Sequence, residues 1–534
     1  MKNKSLLLIK ANLINSYSIN RVLKAPKNER IRMSFVLIAI VFLVGMVLSS
    51  ITGYYIYLSN MLMSKGQITV LLTVAFLLAN MMCFFASVFT SSSYLFAFKD
   101  FQFLVSLPLT DKNILFSKLF LIYFPNTIMS VLLSLPAIII FGINTSAGFT
   151  FYALALLGLL IVPIIPIVLG ATISLIIGRF ASQFKQRNLV LLIASFLLII
   201  IMSLGSYFLQ GTSIMDLNTA FLKIGNFQNY YFPAKLFVKS LSNINLVLFI
   251  SFIAINVVVF VLFLYVFSKN FKKINLSIGE HSSKAKYKMS TLKVTSSIMA
   301  LYKKELKSYF SCYVYILNTM FGLILFAIYL ISVVLFKYEN ILKALNMSNM
   351  SDYILPFTTV LGITCVAMSC TTGSSLSIEG ANLWIIKSLP LKFSNIAKCK
   401  IMVNLTLTIP FMFIASFPVI YIFKLSFLEY IAFLAPVLGF SILSAIVGLI
   451  VNLYFPKFDW KSEVQVIKQS IATAVTLMAN IICVLIPVAI CFIIKPSNLN
   501  LYFIYMSIVV LAVCIVLWNY IKGKGSVMFK KLEI

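Results

Sequence analysis

Residues 430–454 read YIAFLAPVLGFSILSAIVGLIVNLY, a run of 25 residues without a charged side chain. A helix needs about 20 mostly apolar residues to cross a hydrocarbon core roughly 30 Å thick. The apolar residues are continuous, whereas a strand of a membrane barrel alternates apolar and polar positions. This stretch is therefore predicted to be a membrane-spanning helix.

Comparable apolar stretches recur along the whole chain. Of its 534 residues 61% are hydrophobic and 10% are charged, whereas soluble proteins are nearer one half and one quarter. The twelve predicted spans are 34–58, 68–89, 114–142, 150–177, 188–208, 246–268, 313–336, 353–373, 397–423, 429–454, 471–494 and 501–520. We expect an all-α polytopic membrane protein, with no soluble catalytic domain at either terminus.

The basic residues give the orientation. The chain carries 43 Lys and Arg against 13 Asp and Glu. With both termini in the cytoplasm, cytoplasmic segments hold 35 of the 43 basic residues and external segments hold 8. Loops rich in Lys and Arg stay on the cytoplasmic side, so this orientation is favoured. The same distribution explains the net charge of +30 through topology, and no nucleic-acid partner is expected.

The sequence contains an internal repeat. The segment 106–109 (SLPL) recurs as 388–391, a shift of 282 residues. At the same shift Lys118 matches Lys400, and Cys83 matches Cys365. Each copy follows the second span of its half, so the chain is predicted to contain two parallel six-span repeats. The predicted halves are residues 1–283 and 284–534.

Four segments lie outside the predicted spans. Residues 5–23 fit either an amphipathic surface helix or a simple basic flank. Residues 269–307 form a basic linker with ten Lys, and a second surface helix is expected near 297–310. Residues 209–245 are the one long external segment, with aromatic residues suited to the membrane interface.

The loops that contain the repeated motif are 90–113 and 372–396. Each is predicted to form a short helix across the cytoplasmic end of the bundle, ended by Pro108 or Pro390. Two interpretations stay open. The loops are either surface segments without a partner or a docking surface for a cytoplasmic motor.

Several absences narrow the chemistry. The eight cysteines contain no CxxC pair and His281 is the one histidine, so we expect no metal site and no catalytic residues. All thirteen carboxylates fall in loops or at span ends, which weakens an ion-coupled mechanism. The segment 523–526 (GKGS) ends like a Walker A motif, but Trp518 replaces its first glycine. ATP hydrolysis is expected on a separate subunit.

With these motifs the chain resembles the bacterial ATP-binding-cassette (ABC) type-2 exporter permeases, in the long form with two fused six-span halves. The resemblance rests on motifs in both halves: 98–108 (FKDFQFLVSLP) with Lys118, 301–309 (LYKKELKSY), Asn318, Thr319, Gly322, Glu379, Gly380, Trp384, 387–390 (KSLP), 456–460 (PKFDW) and 468–470 (KQS).

The resemblance implies a permease subunit in the bacterial cytoplasmic membrane that exports an amphipathic or hydrophobic small molecule, lipid or peptide. Its partners would be the lipid bilayer and two copies of a cytoplasmic ABC ATPase, which would carry ATP and Mg. No cofactor is expected in this chain. The residues expected to dock the ATPase are Lys99, Asp100, Ser106, Leu107, Pro108, Glu379, Gly380, Ser388, Leu389 and Pro390. Asp459 and Lys468 are expected either to add a second contact or to hold the fourth and fifth spans together.

Two other functions remain open, an ion-coupled secondary transporter and a non-transport membrane scaffold. Lys118 and Lys400 also have a simpler interpretation. A lysine near a span end can extend its charge to the membrane surface.

Overall fold

The computed structural model describes residues 4–16, 27–95, 101–182, 231–280, 295–336, 353–460 and 463–532. Helices account for almost all regular structure in these ranges, and none of the described residues forms a strand. The described residues fall into two compact units, 4–280 and 295–532. The predicted all-α membrane fold is confirmed.

The first unit contains nine helices in its described part. They are α1 (Lys4–Ser16), α2 (Lys27–Met63), α3 (Thr69–Leu95), α4 (Phe101–Ser106), α5 (Asp111–Asn144), α6 (Phe149–Ile161), α7 (Ile164–Ser182), α8 (Phe232–Ser242) and α9 (Leu246–Glu280). Its core joins α3, α8 and α9 through the rings of Phe76, Phe237 and Phe252, with centroids 4.9 Å apart for the first two. Offset aromatic pairs of this kind favour a fixed packing geometry.

The second unit is built around its most buried helix, α16. Its helices are α10 (Ser297–Ser311), α11 (Tyr313–Phe336), α12 (Ile354–Met368), α13 (Thr372–Ser375), α14 (Leu383–Ser388), α15 (Phe393–Phe423), α16 (Phe427–Tyr454), α17 (Glu463–Ile467), α18 (Ile471–Ile494), α19 (Leu499–Tyr520) and α20 (Ser526–Lys531). A capping box starts α16, because the Ser426 hydroxyl and the Glu429 carboxylate each bond the other residue's backbone N–H.

Ten predicted spans coincide with helical segments that are long and apolar enough to cross a membrane. These segments are Thr69–Ser91, Asp111–Asn144, Phe149–Ile177, Leu246–Lys272, Tyr313–Leu335, Ile354–Ser388, Phe393–Phe423, Phe427–Tyr454, Glu463–Ile494 and Leu499–Lys531. The predicted span 34–58 lies within α2, a helix of 37 residues. The predicted span 188–208 lies outside the described residues.

Two boundaries differ from the sequence prediction. The linker was expected to begin at residue 269, but α9 continues to Glu280, since no proline or glycine interrupts its first turns beyond the span. The span predicted at 353–373 ends as a regular helix at Met368. From there to Asn382 the chain forms only the short helix α13 and a bent turn of 3-10 helix. Buried side chains in this stretch replace hydrogen bonds that a regular helix would make.

Candidate functional site

The two repeated SLPL segments have the same local conformation in their respective units. The short helices α4 and α14 each have six residues and each ends at the serine of the motif. Ser106 and Ser388 donate from their hydroxyls to the carbonyl three residues earlier, at 2.8 and 2.9 Å. The proline then lies inside a tight turn, closed by a 2.7 Å backbone bond from Leu109 to Leu107 and from Leu391 to Leu389.

The short helices are also amphipathic in the same register. Leu104 in α4 and Ile386 in α14 occupy matching positions and are buried. The residue before each is exposed, with Phe103 63% and Ile385 46% accessible. Trp384 adds a second exposed apolar side chain, 60% accessible. Each loop is therefore anchored on one side and presents apolar surface on the other.

In the second unit α14 is joined to α12 by a segment of broken helix, residues 369–382. Asn452 of α16 holds its middle, because its Oδ1 accepts from the backbone N–H groups of Leu376 and Ser377 at 2.8 and 3.2 Å. Asn404 of α15 accepts from the backbone N–H of Thr371 at 2.8 Å. Buried backbone that leaves the regular helix is stable where other protein groups satisfy its hydrogen bonds, and these two amides perform that role.

Gly380 gives the broken segment its sharpest bend. Its φ of +55° lies in the left-handed region, which glycine adopts without strain. A Cβ atom at this position would lie 2.8 Å from Nε1 of Trp460. That same indole N–H donates to the carbonyl of Ser377 at 2.9 Å, so the bend and the indole fit together.

A buried ionic cluster lies beside this bend. The ammonium of Lys400, on α15, is 2.9 Å from Glu305 Oε2 and 3.2 Å from Glu379 Oε1. It also donates to the carbonyl of Ser375 at 2.9 Å. Lys304 completes the cluster, 2.5 Å from Glu379 and 3.2 Å from Glu305. The Lys400 side chain is fully inaccessible, so its charge depends on these carboxylates for compensation.

The cluster opens onto a small polar pocket. The pocket has room for about one water molecule. Tyr309 and Tyr315 line it together with Thr371, and the Tyr315 hydroxyl donates to the Thr371 carbonyl at 2.5 Å. Burial raises the pKa of Tyr309 well above its usual value, so this phenol stays protonated and can donate to Thr319, 2.7 Å away.

The structure separates the predicted docking residues into three groups. Lys99 and Asp100 lie outside the described residues. Ser106, Leu107, Pro108, Ser388, Leu389 and Pro390 lie in the two loops and are exposed or half-buried. Glu379 and Gly380 face the interior of the second unit, in the cluster and at the bend.

The remaining predicted residues lie on helices or on the link between α16 and α18. Asp459 and Lys468 are exposed on that link. Lys118 and Lys400 are both buried. For Lys400 the prediction that its charge extends to the membrane surface is wrong, because two carboxylates and a backbone carbonyl hold the ammonium inside the protein.

Sequence reasoning missed the ionic cluster. Glu305 was assigned to a surface helix and Glu379 to a loop, 95 and 21 residues from Lys400 along the chain. The available signal was that all three charges lie in the second half, Glu305 and Glu379 within motifs that carry the family resemblance and Lys400 at the position that matches Lys118. No periodicity in the sequence connects α10, the broken segment and α15.

Comparison with known families gives a match that covers most of the chain. The family model described as a membrane protein of 12 TMs matches residues 27–520. Comparison with curated proteins and with solved structures gives no match. Since ten helical segments in the described residues are long and apolar enough to span a membrane, architecture and comparison agree, and the chain belongs to this family of membrane proteins with twelve transmembrane segments.

Proposed function

We propose that the chain is the permease subunit of an ABC-type exporter, driven by ATP hydrolysis on a separate cytoplasmic ATPase. The observation that carries the proposal is the pair of matching amphipathic helices, α4 and α14, each followed by the same proline turn. Two equivalent exposed apolar surfaces suit two copies of one partner. On the orientation predicted from the basic residues, both surfaces face the cytoplasm.

The second unit offers a path by which force on α14 would reach the spans. Helix α14 follows directly after the broken segment. That segment is bonded to α16 through Asn452 and to α15 through the contact of Glu379 with Lys400. Movement of α14 would therefore displace two long helices together, because buried hydrogen-bonded contacts of this kind resist stretching.

Few charges lie within the spanning segments, so a translocation path through them would be apolar or lined by hydroxyls. This composition supports an amphipathic or hydrophobic cargo. In the second unit the buried hydroxyls include Thr408 and Ser441, which are 2.5 Å apart on α15 and α16. Contact with lipid by itself also requires apolar surface on these spans.

The test is co-purification from native membranes of an ATPase whose own sequence contains a Walker A motif. In the variant Phe103→Asp/Ile385→Asp, retention of that ATPase should fall by on the order of tenfold, because two apolar side chains that the ATPase would cover each become a desolvated charge. Phe427→Asp is the matched control, since Phe427 is 79% exposed and lies in a predicted external loop. Retention of the ATPase by the double variant would refute the docking assignment.

One observation favours a second function, an ion-coupled transporter. The Lys400 cluster supplies buried ionisable groups at one end of a spanning helix, as proton- and ion-coupled carriers require. Transport in sealed vesicles that contain the chain alone distinguishes the two functions. Flux that follows a pH or sodium gradient without any ATPase supports the carrier, whereas flux that requires the ATPase and ATP supports the exporter.

A further inference from the structure

Exposed lysines are concentrated at one corner of the second unit, where α20 packs beside the start of α15. Lys392 lies just before α15, and four more lie within residues 522–531: Lys522, Lys524, Lys530 and Lys531. No carboxylate of the described residues forms an ion pair with any of the five. The sequence places a single carboxylate nearby, Glu533. The corner is therefore strongly cationic.

Specific contacts fix the corner in place. The ring of Phe529 stacks on Phe393 with centroids 4.5 Å apart, which joins α20 to α15. The ammonium of Lys387 donates to the carbonyl of Lys530 at 3.2 Å and to that of Leu532. Ile521, at the end of α19, is fully buried. The exposed lysines thus project from a packed helix end, in contrast to a solvated tail.

The corner lies at the level where two spanning helices end. The spanning part of α15 begins just after Lys392, and α19 ends at Tyr520. The hydroxyls of Tyr454 and Tyr520 are hydrogen-bonded, and the Lys522 ammonium lies 5.8 Å from the Trp518 ring centroid. Tyrosine and tryptophan concentrate at the boundary between hydrocarbon and headgroups, which places the lysines at headgroup depth.

Apolar surface continues from the lysines along α19. Leu511, Ile515 and Val516 are 43%, 64% and 68% exposed. These side chains follow one another along the helix away from Lys522. A molecule that fits both features has an anionic head and extended hydrocarbon chains.

We propose that this corner binds anionic phospholipid headgroups of the adjacent membrane leaflet. Charge complementarity selects the headgroup, and the exposed side chains of α19 contact the acyl chains. A basic residue close to an anionic lipid surface gains about fivefold in binding for each charge, so five lysines enrich anionic over zwitterionic lipid strongly. This inference does not depend on the proposed ATPase partner.

The test uses the full chain in lipid nanodiscs and the fluorescence of Trp518. Trp384 and Trp460 are replaced by phenylalanine, which leaves one tryptophan. Nanodiscs of phosphatidylcholine receive equal mole fractions of brominated phosphatidylglycerol or brominated phosphatidylcholine, and bromine quenches a nearby indole. We expect quenching by brominated phosphatidylglycerol to exceed quenching by brominated phosphatidylcholine at least threefold. High salt should remove this excess, because it screens the charges.

Matched variants locate the effect. K530Q/K531Q should lose most of the excess quenching by the anionic lipid. The control K424Q/K495Q also removes two exposed lysines, but these directly follow the last residues of α15 and α18. This control should keep the excess quenching. Equal quenching by the two lipids, or an excess that K530Q/K531Q leaves intact, would overturn the proposal.

A second measurement avoids the tryptophan replacements. The wild-type chain is purified in detergent from membranes of mixed phospholipids, and the retained lipids are identified by mass spectrometry. The proposal requires that anionic lipid be retained above its share in the membrane and that K522Q/K524Q/K530Q/K531Q bring it down to that share. If the wild-type chain retains lipids in the same proportions as the membrane, the proposal is contradicted.

Discussion

The Nζ atom of Lys400 lies 2.9 Å from Oε2 of Glu305, a residue 95 positions earlier in the chain. The Lys400 side chain is fully inaccessible and that of Glu305 is 9% accessible. Glu379 shares the same ammonium from the broken segment. One lysine therefore fastens the surface helix α10 and the segment before α14 to the spanning helix α15.

Lys400→Met should destabilise the second unit by about 3–5 kcal/mol, because it removes the buried counter-charge of Glu305 and Glu379 and leaves them only the exposed side chain of Lys304. Thermal or denaturant unfolding in detergent measures this. Lys398→Met is the control, since Lys398 is exposed two residues earlier on the same helix. The triple variant K400M/E305Q/E379Q should recover part of the loss, and a triple variant less stable than Lys400→Met would contradict the ionic explanation.

Asn452→Leu should also destabilise the second unit, by at least about 2 kcal/mol. The leucine has a similar volume but leaves the backbone N–H groups of Leu376 and Ser377 without their acceptor, and each buried unpaired group costs about 1–3 kcal/mol. Asn519→Leu makes the same chemical change at an exposed position of α19. Similar unfolding midpoints for the two variants would rule out the bracing role of Asn452.

Gly448→Ala tests the close approach of α16 to the broken segment. An added Cβ would lie 2.4 Å from Sγ of Cys370 and 3.0 Å from the backbone N of Gly373, so the segment must shift. We expect a loss of about 1–3 kcal/mol, measured by unfolding. Gly523→Ala adds a methyl group where nothing lies within 4 Å and should change stability by less than about 0.5 kcal/mol.

Leu107→Asp and Leu389→Asp each alter one of the two proline turns. If both loops dock one ATPase each, either single variant should carry one ATPase copy and the double variant none. Native mass spectrometry of the purified complex counts the copies directly. Two copies retained on a single variant would mean that its loop is not a docking site, whatever its exposed surface.

Lys387→Met should loosen α20 without unfolding the unit. Its ammonium bonds two carbonyl groups at the end of that helix, and a hydrogen bond to a charged group contributes about 1.5–3 kcal/mol. Amide exchange in residues 526–532 should accelerate by on the order of tenfold. Lys392→Met, which removes an exposed lysine five residues later, should leave that exchange rate unchanged.

Sequence patterns were sufficient for the ten spans that coincide with described helices, because each depends on its own composition. A helix such as α16 satisfies its backbone internally and faces lipid or other apolar helices, so a continuous run of apolar residues determines it. The matching turns after Ser106 and Ser388 were also predictable. Each follows from a proline at a fixed place in a short amphipathic stretch.

The amino-acid sequence by itself determined that the chain is helical, that it crosses a bilayer many times and that two short surface helices share one motif. These properties are local, since they follow from hydrophobicity and proline within a few turns of chain. The tertiary structure alone decided that Lys400 is paired inside, that Asn452 holds unwound backbone and that α20 packs against the start of α15, which adds Lys392 to four lysines already close in sequence. Those facts depend on which helices pack together, because the contribution of a buried charge or amide to stability depends on neighbours that are distant in sequence.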